Sequence, residues 1–162
     1  MGAGITALFE WIEATSLSAA IRESNWLYPF IEIIHIFGIV LVAGGAVFFD
    51  LHLLSLNHAA PSDKRPFRLL SWSRRGLLLA IPSGILLFCT NAVTLSADPV
   101  FWTKLSLLLL AAFNAWIFHI RVYMPYYLNN ALSFRWSVAK INAVISILLW
   151  MSIIACGRLL AY

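Results

Sequence analysis

Between positions 26 and 56 the chain reads WLYPFIEIIHIFGIVLVAGGAVFFDLHLLSL, and this run limits the fold more than any other stretch. A helix crosses the hydrocarbon of a bilayer in roughly 20 apolar residues, and this run exceeds that by a turn or more. It nevertheless carries Glu32, His35, Asp50 and His52. An ionisable group at the centre of a span costs about 2.5 kcal/mol or more, so each of these needs a partner inside the protein. At about 100° per residue, Glu32 and Asp50 both fall about 60° to one side of His35, while His52 falls roughly 100° to the other. The His35 face also carries Val42, Ala46 and Phe49, and is the one expected to look inward.

The rest of the chain extends the same pattern. Of its 162 residues 62% are hydrophobic and only 11% charged, too few polar groups to cover a water-facing surface. The reading is an all-α integral membrane protein, a four-helix bundle forming one domain over 1–162. Residues 1–22 carry Ile5, Leu8, Phe9 and Ile12 at helical spacing with Glu10 and Glu13 opposite, as in an amphipathic helix lying in the membrane interface. No basic stretch precedes an apolar core there, so a cleaved signal peptide is not expected. Four spans follow, at about 26–56, 73–95, 99–123 and 136–160. Ser24 and Asn25 cap the first, and Trp26 and Tyr28 supply an aromatic belt. The second is kinked or broken near Pro82 and Gly84. Asp98-Pro99 reads as an N-cap followed by proline at the first helical position, so the short 96–100 loop makes an antiparallel hairpin. Asn142, Ser146 and Ser152 are polar positions of the fourth span, suited to hydrogen bonds between helices.

Eight of the eleven Lys and Arg fall in two connections: Lys64, Arg65, Arg68, Arg74 and Arg75 in one, Arg121, Arg135 and Lys140 around the other. By the positive-inside rule those connections are cytoplasmic and both termini lie on the periplasmic side of a bacterial inner membrane. The net charge of +4 is thus a topology signal, not a nucleic-acid footprint. Glu32 and Lys104 come near the outer rim and can offset each other. Cys89 and Cys156 sit singly within apolar segments and read as small core residues. His58 falls in a loop and carries no role.

His35, His119 and His52 form the constellation with chemistry in it. Neutral imidazole is a common axial ligand of haem iron, and facing membrane helices can hold the ring. Leu108, Ala112 and Ala115 share the face of His119, and Gly38, Gly44 and Gly45 do likewise on the first span, leaving room for a flat macrocycle. The competing reading is that small residues only let helices approach closely. By the rise per residue, His35 and His119 differ in depth by about 15 Å, which leaves open a staggered third span, two haems, or another partner for His35. Met151 is an alternative axial thioether near the level of His35, and His52 comes within about 10 Å of the level of His119.

The stretch HIFGIVLVAGGAVFFDLHLLSLNH resembles the first helix of the HemJ-type protoporphyrinogen oxidases and the related CopD-like membrane proteins. FWTKLSLLLLAAFNAWIFH resembles their third helix, with a Trp-x-Lys opening and a late histidine. The whole chain also resembles an uncharacterised bacterial four-helix family with the same FDL-type end to its first helix. The resemblance implies that His35 is the haem-linked histidine, with Trp102 and Lys104 in the matching opening. Asp50-Leu51-His52 and a single Arg135 stand where HemJ proteins usually show Pro-Arg and a second Arg-rich block. Haem binding therefore carries over better than the oxidase activity.

These features set the expectations. The leading one is a b-type haem protein for electron transfer or a haem-linked redox reaction, meeting quinol or a membrane partner within the bilayer, as an oligomer or as one subunit of a complex. The alternatives are a non-catalytic membrane subunit and CopD-like copper handling, for which the three methionines are few. No paired broken helices point to a transporter.

Overall fold

The computed structural model describes residues 3–55, 65–125 and 136–160. The residues carrying His58, Pro61, Lys64 and Arg135 lie outside these, and the side chains of Arg65, Pro66 and Arg68 are likewise not described.

All described regular structure is helical: α1 (Ala3–Glu13), α2 (Ser16–Glu23), α3 (Leu27–Ser55), α4 (Arg65–Thr90), α5 (Ala92–Ala97), α6 (Pro99–Phe118) continued by a π-helical turn (His119–Tyr123), and α7 (Trp136–Leu159). Three of these are long and apolar enough to cross a membrane, Leu27–Ser55, Pro99–Tyr123 and Ser137–Leu159. The fourth long helix, α4, is more polar, carrying Ser71, Ser73, Arg74, Arg75, Pro82 and Ser83.

Local chemistry sets the boundaries. Leu27 N–H donates to Ser24 Oγ at 3.2 Å, the cap expected for α3. Asp98 Oδ1 accepts from Val100 N–H at 2.7 Å, and Pro99 opens α6 where its missing N–H costs nothing. α4 runs through Pro82, and Ser83 Oγ–H donates back to the Leu79 carbonyl at 2.5 Å. The expected second span, 73–95, instead ends at Thr90. Asn91 leaves helical geometry, and α5 is a separate short helix that places Ser96 O where the Trp102 indole N–H reaches it at 2.9 Å.

The N-terminal segment is two helices rather than one. Thr15 caps α2, its hydroxyl bonded to Ile12 O and to Ser18. Ser18 and Ile21 are fully buried, and Phe9 meets Phe88 of α4 edge-on at 5.9 Å. Arg22 donates to Glu13 Oε1 and to Thr90 O, while Glu13 Oε2 accepts from Val93 N–H. These contacts fasten α1 and α2 over one end of the long helices, called here the capped end.

The long helices pack in the order α4, α3, α7, α6, each antiparallel to its neighbour. Side chains bridge the wider gaps. Phe49 of α3 meets Phe118 of α6 edge-on at 5.4 Å, and Phe88 of α4 stacks on Phe101 of α6 at 5.3 Å. The buried core lies away from the capped end, where Phe49, Leu53, Phe118, Val122, Ala139 and Ala143 meet. The alanines let α7 lie close between α3 and α6.

Candidate functional site

The α3–α4 interface is tight because glycine stands at each close approach. A Cβ on Gly38 would come 2.7 Å from Ala80 N, a backbone atom. A Cβ on Gly84 would come 2.8 Å from His35 Cε1. The absence of a side chain at Gly84 therefore makes the slot in which the His35 ring lies.

His35 Nδ1 is 3.0 Å from the Ala80 carbonyl and 3.0 Å from Ser83 Oγ. The Ser83 hydroxyl has one proton, and its shortest contact is to Leu79 O. Ser83 Oγ consequently accepts, and so does the Ala80 carbonyl, which places the imidazole proton on Nδ1. The lone pair is left on Nε2, which has no hydrogen-bond partner among the described residues. A metal-ligating histidine has this arrangement, one nitrogen donating to a backbone carbonyl and the other available.

Register gives the level of every other candidate. Because Phe49 meets Phe118 and α3 runs parallel to α6, His35 is level with Lys104. The Lys104 ammonium lies over Gly157 of α7, 3.7 Å from where a Cβ there would stand, and is near enough to His35 for their charges to interact. Glu32 acts on the same imidazole from one turn nearer the capped end. His35, Ser83, Gly84, Lys104 and Gly157 thus form one polar layer drawn from four helices.

The other expected residues lie elsewhere. His119 opens the π-helical turn, is exposed, and stacks on Tyr123 with ring centroids 5.1 Å apart. Its level matches Asp50, about 22 Å from His35 by helical rise. Ala112 and Ala115 are exposed with it, so the small-residue face of α6 looks outward. The buried face of α6 is instead Asn114, Phe118 and, past the helix end, Val122. His52 is also exposed, and comes near the level of His119 as the count along the chain gives. Met151 is 61% exposed. Counting along α6 and α7 from the facing pair Asn114 and Asn142 brings Met151 near the level of His35 and Lys104, but its side chain faces outward. Trp102 spends its indole N–H on Ser96 and fixes the α5–α6 turn. The structure therefore joins His35 with Lys104, separates both from His119 and His52, and turns Met151 outward.

Two arrangements escaped the sequence reading. Pro82 and Gly84 read from sequence only as a helix break, whereas Ser83 and Gly84 orient and seat His35. Asp50 is buried at 6% exposure with Ser146 beside it, a proximity that only the contact of α3 with α7 creates. Among the described residues no group of three or more His, Cys, Asp or Glu stands where it would hold a metal ion.

Neither a curated protein nor a solved structure matches the chain. Residues 8–162, nearly the whole chain, match one family, and the protein belongs to it: DUF6644, a family of unknown function.

Proposed function

We propose that this protein is a four-span helical bundle of the bacterial inner membrane that carries a b-type haem on His35. The observation behind the reading is the imidazole itself: Nδ1–H is held by Ala80 and Ser83, and Nε2 has no hydrogen-bond partner among the described residues. The resemblance of the first and third helices to HemJ-type and CopD-like proteins points the same way. The residues present fit one axial bond. His35 supplies the ligand, Gly84 the room for its ring, and Lys104 a cation at the same level suited to a haem propionate. A bound haem supplies one-electron chemistry. The protein fixes the imidazole orientation and tunes the centre through burial and the charges of Lys104 and Glu32.

In this reading the capped end is periplasmic, α4 is the fourth span, and the exposed apolar side chains Ile5, Leu8 and Trp11 of α1 rest in the outer interface. His119 lies far from the level of His35 and Met151 faces outward, so the sixth position is open. That favours a haem-linked reaction with quinol or another membrane-soluble reductant over a bis-histidine electron carrier. Protein purified from haem-replete cells and reduced with dithionite is expected to show a high-spin b-type spectrum. His35→Ala loses the pigment and His119→Ala keeps it; retention of the pigment in His35→Ala overturns the assignment.

The second reading is a non-catalytic subunit of a membrane complex. The outward face of α6 favours it, where Ala112, Ala115, Trp116 and His119 are all exposed. A pigment-free protein that co-purifies with a membrane partner, and loses it on Ala115→Leu, is its signature. Copper handling needs clustered soft ligands, and Met124 and Met151 both face outward at 45% and 61% exposure.

A further inference from the structure

Asp50 lies within α3, in a layer of the protein that the His35 site does not touch. It is 6% exposed and sits between Phe49 and Leu53, two of the most buried side chains in the core. The Ser146 hydroxyl of α7 lies beside its carboxyl. Its Oδ2 atom is buried and has no hydrogen-bond partner, the single such atom among the described residues. One turn before Ser146 is Asn142, itself buried and bound to Asn114 of α6, so acid, hydroxyl and paired amides share one polar patch in an otherwise apolar core.

A bare carboxylate in such surroundings is costly unless a positive charge accompanies it. The basic and titratable groups on the packed elements are accounted for wherever their side chains are described, which leaves out Arg65 and Arg68 of α4. On α3 itself His52 is exposed, and Glu32 and His35 are about four turns or more away. On α4 Arg74 and Arg75 are exposed, as are His119 and Arg121 of the π-helical turn. Lys140 of α7 and Tyr123 are half-buried and have contacts of their own. None of these pairs with Asp50 among the described residues: the ion pair formed there is Arg22 with Glu13, at the capped end.

We propose that the missing charge comes from solution, and that Asp50 and Ser146 are an intramembrane binding site for one monovalent cation, a proton or an alkali ion. Oδ2 is the open acceptor. The Ser146 oxygen is the second donor atom, and α3 and α7 are the two helices the bound cation ties together. Occupancy neutralises the carboxyl and strengthens the α3–α7 contact. An empty site leaves a charge in the core and loosens that contact. The proposal is independent of haem, and can be tested in the His35→Ala protein as well as the wild type.

The test is thermal unfolding of the full chain in detergent across pH, and across lithium, sodium and potassium chloride with choline chloride holding ionic strength. A saturable rise of Tm with one alkali ion at fixed pH identifies that ion. A rise on acidification, equal in all salts, identifies the proton. Either dependence must vanish in Asp50→Asn, which keeps the shape and removes the charge. Ser146→Ala is the second variant, for the case that Asp50→Asn does not fold. It should move the concentration giving half the effect by about tenfold, the scale of one hydrogen bond to a charged group. The proposal is overturned if Asp50→Asn responds to salt and pH as the wild type does, or if wild-type Tm is indifferent to both. With Asp50→Asn unfolded, an unmoved half-effect in Ser146→Ala overturns it equally.

Discussion

Asn114 of α6 and Asn142 of α7 face each other and exchange amide hydrogen bonds in both directions. Asn142 Nδ2 donates to Asn114 Oδ1 at 2.8 Å and to its backbone carbonyl at 3.0 Å. Asn114 Nδ2 donates to the Asn142 carbonyl at 3.2 Å and to its Oδ1 at 3.4 Å. Both residues are buried, so the pair locks the register of two helices whose apolar faces would otherwise slide against each other.

Removing one partner strands the other. Asn142→Ala is expected to lose about 1–2 kcal/mol of stability, because the Asn114 amide then has no equivalent acceptor in the core. The double variant Asn114→Leu with Asn142→Leu should lose less than the sum of the two single changes. Equilibrium unfolding in mixed micelles measures this, and strictly additive losses would show the amides to be uncoupled.

Gly38 and Gly84 differ in what a methyl group meets. At Gly38 the obstacle is the Ala80 backbone, so Gly38→Ala must push α3 from α4 and should cost about 1–3 kcal/mol. At Gly84 the obstacle is the His35 ring, a side chain able to rotate away. Gly84→Ala should therefore stay closer to wild-type stability while turning His35 out of its slot. Under the haem proposal it loses pigment as His35→Ala does. Unfolding midpoints and haem content, read side by side, separate the two effects.

Ser83→Ala leaves Ala80 O as the sole acceptor for His35 Nδ1–H. A weaker hold on the ring is expected to lower haem affinity about tenfold without abolishing it, as loss of a ligand's supporting hydrogen bond does elsewhere. Haem titration of the purified apoprotein gives the number. An affinity unchanged from wild type would mean that Ser83 serves α4 alone.

The Glu13–Arg22 pair is partly open to solvent, with side chains 26% and 46% exposed, so it is worth less than about 1 kcal/mol to global stability. Its local effect should be larger. Glu13→Gln weakens the acceptor for Val93 N–H and the bond from Arg22. Hydrogen exchange at the α5 amides and in α2 is expected to quicken, with the α6–α7 core unchanged. Equal quickening throughout would show that α1 and α2 are not a separate layer.

The chain itself fixes much of this protein. The run from Trp26 to Leu56 dictates a long apolar helix, and α3 spans Leu27–Ser55. Asp98-Pro99 dictates the start of α6 through cap chemistry confined to neighbouring residues. Such features are legible because the interaction that makes them is local. The break at Thr90 and Asn91 was not, because it is held by a long-range contact, Arg22 with Thr90, that periodicity does not record. The division of residues 1–22 rests on the local Thr15 cap, which a reading by apolar periodicity passes over.

The same division runs through the candidate site. Sequence alone singled out His35 as a costly residue in oil that requires company and set Lys104 near the outer rim, and the energetics of hydrocarbon made that inference general. Which company they keep was decided by packing. His119 shares an apolar run with them in composition, yet the face of α6 that meets α7 is set by Asn114 and Phe118, and this turns His119 outward. Helical phase is a small angle per residue accumulated over a long span, so only the observed contacts between helices could say which histidine looks in and which looks out.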